Sequence, residues 1–322
     1  MQAQTQEKQP QIKSNSESTT NLILYDWLSF TSKTHTARTL IHALGLDDVP
    51  WETIKGARGY KDRLYFSSIS IHYNGRPDMG VWVEMSGQGC RTFETLSTLT
   101  DCWKDIFWYI FKEDLKITRL DVAFDDHTGL LDLDTMERDT KNQEFVSKCD
   151  WWTVTYGSPG MTIEFGSPKS DVRIRIYDKA RERNCEPGTH WIRVELQFRD
   201  DRAKKFTELE GHVGDNFCGV LLNYLRYVDP TPQDSNRWRW SIKDYWGDFL
   251  CGAKAISIYE KPGMEYNFDR CHNYVVNMAG NAIDAYIKIS GVEGLQRALK
   301  ERTSKPNPKY TRLVEECKKF NI

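Results

Sequence analysis

Between residues 22 and 200 the chain is built mainly of short runs in which apolar and polar residues alternate, the spacing of half-buried β-strands. NLILYDWLSFTSK reads as a first strand and TARTLIHALGL as a helix. RLYFSSISIHYNG and GVWVEMSGQGCRTF form a hairpin around a turn at Asn74, Gly75 and Pro77, residues suited to tight turns. FETLSTLTDCWKDIFWYIFKED then has helical spacing. The plan recurs: KITRLDVAFDD is a strand, LDLDTMERDTKNQEFVSK a helix, and WWTVTYG, MTIEFGS, DVRIRIYDKA and HWIRVELQFRD are strands. WVEMSGQGCRTF and IRVELQFRDDRA each carry a mid-strand Glu and end in an Arg-containing turn, a loose hint of internal duplication. The expected class is α+β with a largely antiparallel sheet. Residues 1–20, rich in Gln, Ser and Thr, have the composition of a disordered tail. The sheet domain is expected over 21–202, with a mostly helical region over 203–322.

Alternation also sorts side chains, because residues two apart on a strand share a face. In ITRLDVAFDD it groups Arg119, Asp121, Ala123 and Asp125 against Leu120, Val122 and Phe124. In DVRIRIYDK it groups Arg173, Arg175 and Tyr177 against Val172, Ile174 and Ile176. In HWIRVELQFRD it groups Arg193, Glu195, Gln197 and Arg199 against Ile192, Val194, Leu196 and Phe198. A polar strand face is by default a solvated one. These three faces instead combine arginines, isolated carboxylates and a tyrosine. Arginine suits bidentate phosphate contact; carboxylates on adjacent strands suit a hard cation such as Mg²⁺ or Mn²⁺. A tyrosine beside both has what phosphodiester transfer requires: Tyr177 would attack in line, displace a 3′-hydroxyl and form a 5′-phosphotyrosine.

Bulk properties narrow the classes. No apolar run approaches the roughly 18 residues of a membrane span, and no secretory leader is evident, so a cytoplasmic protein is expected. The eight cysteines include no C-x-x-C pair, which gives no zinc ribbon or disulfide framework. A net charge of -2 argues against a protein that simply coats nucleic acid, although residues 169–205 hold eleven Lys or Arg against seven Asp or Glu. No G-x-x-x-x-G-K-[ST] loop is present, so any strand separation falls to another protein.

The blocks YDWLSFTSK, VEMSGQGCRTFE, ITRLDVAFDD, VRIRIYDKARER and WIRVELQFRDDRA, in that order, resemble the replication initiation factor family over roughly residues 22–260. The family includes Rep initiators of rolling-circle plasmids and relaxases of integrative conjugative elements. The resemblance implies origin-specific nicking and closing of one DNA strand, with Tyr177 as nucleophile; Arg175 and Arg119 are the catalytic candidates beside it, for contact with the scissile phosphate. It implies metal ligation by Asp121 and Glu195, with Asp125 and Glu84 as further candidates. The His-hydrophobe-His motif of other rolling-circle nucleases is absent, and His190 is a minor candidate ligand. Arg91, Arg173, Lys179, Arg193, Arg237 and Trp238 are candidate DNA contacts, the last stacking on unpaired bases with Trp240. Implied partners are single-stranded or cruciform origin DNA, a host or element helicase, and a second copy on inverted-repeat origins. Tyr156, Tyr259 and Tyr266 are other tyrosines to weigh. Two alternatives stand at this point: a metal-dependent nuclease with water as nucleophile, and a non-catalytic DNA-binding regulator of replication.

Overall fold

The computed structural model describes residues 21–158, 160–252, 254, 256–258, 275–276, 279–301 and 314. The first half comprises β1 (Leu22–Ser32), α1 (Ala37–Ala43), β2 (Glu52–Lys55), β3 (Asp62–Phe66), β4 (Ile69–Tyr73), β5 (Val81–Met85), α2 (Gly87–Leu96) and α3 (Cys102–Lys112). The second comprises β6 (Lys116–Asp126), α4 (Leu133–Lys141), β7 (Phe145–Ser147), β8 (Trp152–Gly157), β9 (Gly160–Phe165), β10 (Val172–Asp178), α5 (Lys179–Glu182), β11 (Ile192–Arg199), α6 (Asp200–Thr207) and α7 (Val213–Tyr224). After these come β12 (Leu225–Tyr227), which pairs with β7, a 3-10 turn at Arg237–Arg239, and α8 (Asp244–Phe249).

Ten strands form one sheet in the order β2-β3-β4-β5-β1-β6-β11-β10-β9-β8, with antiparallel neighbours throughout. The order reads alike from either edge to the central pair β1 and β6. Each half runs strand, helix, an outer three-strand meander, a return strand and then helices. The hint of duplication is therefore a repeat of topology, its two copies related by an approximate two-fold axis between β1 and β6.

One face of the sheet is apolar, as alternation requires. Leu28, Phe30, Leu120, Val122, Ile174, Ile176, Val194, Leu196 and Phe198 are buried on it, in one cluster with Leu40, Phe93, Ile106, Met136, Phe206, Phe217 and Trp246 from the helices. Each such side chain contributes about 1.5–3 kcal/mol on burial. Phe206, Phe217, Val220, Leu221, Trp246 and Phe249 belong to this cluster, so the helices after 203 complete the core of the sheet domain. The compact unit accordingly extends to Tyr259 and the second unit is Glu260–Ile322, a later boundary than the expected 202. In the second unit, α9 (Gly280–Lys300) is interrupted at Gly291, whose φ of 71° breaks the helix. Among the described residues, no helix is long and apolar enough to cross a membrane.

Several boundaries differ from the sequence expectation for local reasons. RLYFSSISIHYNG folds back on itself as β3 and β4, because Ser67 and Ser68 take φ of 40° and 68°, the left-handed pair that matches strand twist in a tight hairpin. The strand read through VEMSGQGC stops at Met85, and Ser86 becomes the N-cap of α2. The long helix expected from Phe93 to Asp114 is broken at Ser97–Asp101, where the Asp101 carboxylate accepts the Lys104 N–H and starts α3, a side-chain cap.

Asp126 closes β6 and organises the loop to α4. Fully buried, it accepts from the N–H groups of Thr128 (2.9 Å), Gly129 (3.1 Å) and Leu131 (2.8 Å) and meets His190 Nε2 at 3.0 Å. Burial alone would raise its pKa, but the bonds from Leu131, His190 and Thr128 hold it below the usual carboxylate value. An Asp126→Ala variant is expected to lose about 3 kcal/mol of stability at pH 7, because the backbone donors lose their acceptor. The lowered folded pKa means that this stability is present above about pH 4 and lost as pH falls through the folded value. Urea melts of both proteins at pH 7 and pH 3 measure it; equal midpoints at pH 7 would remove Asp126 from this role.

Candidate active site

The opposite sheet face is polar and, at its centre, closed to solvent. Cross-strand pairing aligns Asp125 with Arg193 and Arg193 with Tyr177; the next row aligns Ala123, Glu195, Arg175 and Glu164. Directly opposed residues share a face, so the three polar stripes of β6, β10 and β11 form one surface. Asp121, Asp125, Arg193, Glu195 and Gln197 are each at most 3% exposed, buried by one another rather than by apolar groups.

Tyr177 lies in this array at 6% exposure. Its hydroxyl donates to Glu195 Oε2 at 3.1 Å, and Arg175 Nη1 donates to Glu195 Oε1 at 3.2 Å. The Arg175 guanidinium lies 4.9 Å from the centre of the Tyr177 ring and Lys179 Nζ 5.4 Å from it. Burial, then Glu195, pushes the phenol well above its ordinary value, against the pull of Arg193 and Arg175. Tyr177 is therefore a neutral phenol hydrogen-bonded to a carboxylate, the pairing a nucleophile has with its base.

Tyr177, Glu195, Arg175, Arg119, Asp121 and Lys179 line an open cleft of about 390 Å³ together with Asp26, Trp27, Glu182, Arg183 and Ser86–Gln88. Arg119 grips Asp121 through Nε at 2.9 Å and lies 4.0 Å over the Trp27 ring. The first turn of α2, whose Ser86 makes no side-chain cap, opens into the same space. Its free N–H groups and partial positive charge suit a phosphate.

Four carboxylates face this cleft, Asp26, Asp121, Glu195 and Glu182, the last paired with Lys179. Burial raises the Asp121 carboxyl most, with Arg119 opposing and the charges of Glu195 and Asp26 adding. Burial also raises Asp26, with Arg193 opposing and Glu195 adding. An all-oxygen set of crowded, desolvated carboxylates is the donor chemistry of a hard divalent cation. Among the described residues no three His, Cys, Asp or Glu side chains converge on one point, since Arg119 holds Asp121 while Arg175 and Tyr177 hold Glu195.

The other candidates fall elsewhere. Asp125 is bound by Arg193 through Nε at 2.6 Å and Nη2 at 2.7 Å, which fills the lone pairs a metal would use. Glu84 lies on β5, beside Arg58 at 4.0 Å, outside the cleft. Arg193 is sealed in by Asp125 and by Asp26 at 2.8 Å, too buried to reach DNA. Arg91 donates to the Tyr25 carbonyl at 2.6 Å and Glu94 at 2.7 Å, and Arg173 to Glu164 at 2.6 Å. Arg237 donates to the carbonyls of Gln143 and Phe145, a structural tie. Trp238 is half-buried with Arg226 over its ring at 5.2 Å. His190 is turned to Asp126. Tyr156 stands exposed on edge strand β8, bonded to Glu137, while Tyr259 and Tyr266 lie outside the described residues.

Asp26 is the site residue that alternation missed. The β1–β6 pairing runs Tyr25 to Val122 and then Trp27 to Asp121, leaving Asp26 as the extra residue of a bulge. The bulge reverses the facing of the residues after it: Tyr25 packs on the core, Trp27 joins the polar face, and Asp26 reaches Arg193 and the cleft. The legible signal was a lone charge inside the apolar run LILYDWLSF.

Comparison with known proteins agrees with this architecture. Residues 22–109 match the sequence model of the rolling circle replication initiation protein N-terminal domain, and residues 115–301 that of the replication initiation factor. The two matches meet between α3 and β6, where the halves of the sheet meet. A putative DNA relaxase NicK of Bacillus subtilis (strain 168) is 28% identical over 274 residues, 79% of this chain and 77% of that protein. The structure of a rolling circle replication initiator protein from Geobacillus stearothermophilus superposes with a TM-score of 0.67 at 30% identity, covering 74% of this chain and 99% of the other. On these matches, the chain belongs to the replication initiation factor family.

Proposed function

We propose that this protein is an origin-specific nicking and closing enzyme that starts rolling-circle replication or conjugative transfer of a mobile element, with Tyr177 as nucleophile and Glu195 as its base. The observation that carries the assignment is the 3.1 Å hydrogen bond from the Tyr177 hydroxyl to Glu195, at the wall of a cleft lined by Arg119, Arg175 and the start of α2. The scissile phosphate lies between these groups, which stabilise its growing negative charge. As Tyr177 Oη bonds to phosphorus, its proton passes to Glu195 and the bond to the 3′ oxygen breaks. The 3′ oxygen takes a proton from solvent. The 5′-phosphotyrosine keeps the energy of the broken bond, so attack by a 3′-hydroxyl rejoins the strand and returns the proton to Tyr177 without ATP.

The cleft carboxylates Asp121 and Glu195, with Asp26, are the residues whose oxygen chemistry would hold a divalent cation, Mg²⁺ or Mn²⁺, in place of their present arginine partners. When bound, it supplies Lewis-acid polarisation of the phosphate. The DNA partner is the single-stranded or cruciform origin. A separate helicase unwinds it, a second copy of the chain engages inverted repeats, and the work is done in the cytoplasm.

Incubation with a labelled single-stranded origin oligonucleotide and Mn²⁺ is expected to leave an SDS-resistant adduct whose peptide maps to Tyr177. Cleavage without an adduct would assign the attack to water. A Glu195→Gln variant keeps the shape and removes the base; its single-turnover nicking rate is expected to fall by about 10²–10⁴-fold. A rate within a few-fold of wild type would take the base role from Glu195.

A further inference from the structure

The two-fold topology gives the active centre a counterpart in the N-terminal half. Glu195 lies between Ala123 on β6 and Arg175 on β10; Glu84 lies between Ser29 on β1 and Ser70 on β4. In the next row Arg193 lies between Asp125 and Tyr177, and Trp82 between Thr31 and His72. Glu84 is thus the counterpart of Glu195, and His72 occupies the place of Tyr177.

Among the described residues, this counterpart holds no nucleophile hydrogen-bonded to a carboxylate. His72 is 1% exposed, neither ring nitrogen has a hydrogen-bond partner, and the ring stacks on Trp82 at 4.5 Å and 20°. Burial, aided by Arg63 and Arg58, lowers its pKa to about 4, so it is neutral and enclosed. In place of an acid-base centre stands a set of rings, Tyr60, His72 and Trp82, with two guanidinium groups. Arg58 covers Trp82 at 4.9 Å with its side chain 70% exposed. Arg63, directly opposite His72 on β3, lies 5.3 Å from the Tyr65 ring.

We propose that this face of β3, β4 and β5, with Arg58 and Arg63 as its contacts, is a second binding site for single-stranded DNA, holding a stretch of the strand away from the scissile phosphate. The inference rests on the nicking reading above. Three features favour a nucleic acid strand as the occupant. Guanidinium groups over rings offer both phosphate contact and a stacking plane, the combination that binds single strands regardless of sequence. The face is continuous with the cleft: β5 and β11 are separated by β1 and β6, a span of about 14 Å at ordinary strand spacing, and Arg119 stands between them. The loop carrying Arg58 also holds it in a left-handed conformation, φ 53°, next to Gly59 at φ 92°. That backbone conformation fixes the direction in which the Arg58 side chain leaves the loop.

The test uses the full-length protein and labelled single strands that span the nick site, one short and two extended on the 5′ or the 3′ side. Fluorescence anisotropy over a salt series measures affinity. Wild type is expected to bind one extended strand about tenfold more tightly than the short one. Arg58→Ala should reduce that ratio several-fold, and Arg58→Ala with Arg63→Ala should bring it close to one. The double variant should also flatten the salt dependence by about 0.7 in log-log slope for each phosphate it no longer holds. Arg58→Lys, which keeps the charge, should restore the salt slope. Thermal melts check that the variants remain folded. If wild type cuts the strand while the double variant keeps the wild-type ratio and slope, the second site is wrong and the nicking reading stands. If wild type neither binds nor cuts any strand in the presence of Mn²⁺, both fall together.

Discussion

A Tyr177→Phe variant is expected to form no covalent adduct with origin DNA and to nick it slower by on the order of 10³-fold or more, as removal of a nucleophile does elsewhere. Only one oxygen is removed. The ring keeps its contacts with Arg175 and Lys179, and Glu195 keeps Arg175, so the stability loss should stay near the 0.5–1.5 kcal/mol of a single hydrogen bond. Denaturing gels of wild type and variant, with circular dichroism melts of both, separate loss of chemistry from loss of fold. A variant that still cuts at close to the wild-type rate and leaves a free 5′-phosphate would make water the nucleophile and Tyr177 a structural residue.

The largest stability effect should come from Arg193→Met. The guanidinium is buried between Asp125, bound at 2.6 and 2.7 Å, and Asp26 at 2.8 Å. Truncation leaves Asp125 buried and Asp26 partly buried without their shared counter-charge, a change that costs about 3–5 kcal/mol. For a unit of this size that is a fall in Tm of roughly 6–20 °C. The loss should shrink in acid as Asp26, whose carboxyl burial already raises, takes up a proton, and an added Asp125→Asn change should recover part of it at pH 7. Thermal melts of the single and double variants give both numbers. An Arg193→Met protein with wild-type Tm and weakened DNA affinity would instead make Arg193 a surface DNA contact.

The contrast between these two residues shows where reading the chain succeeds and where it stops. Alternation in RIRIYDK puts Tyr177 beside Arg175 on one face, and alternation in RVELQFR puts Arg193 and Glu195 on one face; both groupings survive in the sheet. What alternation leaves open is the register. Pairing Tyr177 with Arg193 and Arg175 with Glu195 is what gives Glu195 the phenol as a partner. Pairing Arg193 with Asp125, 68 residues away, is what encloses both in a buried ion pair. Glu84 looked equivalent to Glu195 because each is a mid-strand Glu before an Arg-containing segment, and in topology the two are equivalent. They belong to different halves of the sheet, and only Glu195 has a tyrosine opposite the residue two positions before it on the same face.

The inward and outward sorting of side chains on β6, β10 and β11, and the grouping of Tyr177 with Arg175 on one face, needed nothing beyond the chain itself, because the pleat repeats every two residues and each strand carries its own record of which face is buried. The bulge at Asp26, the ion pairs that enclose Arg193 and the different surroundings of Glu195 and Glu84 were decided only in the folded molecule. They depend on which strands become neighbours and at what offset. That choice is made by packing one shared core across long stretches of chain, and no local pattern encodes it.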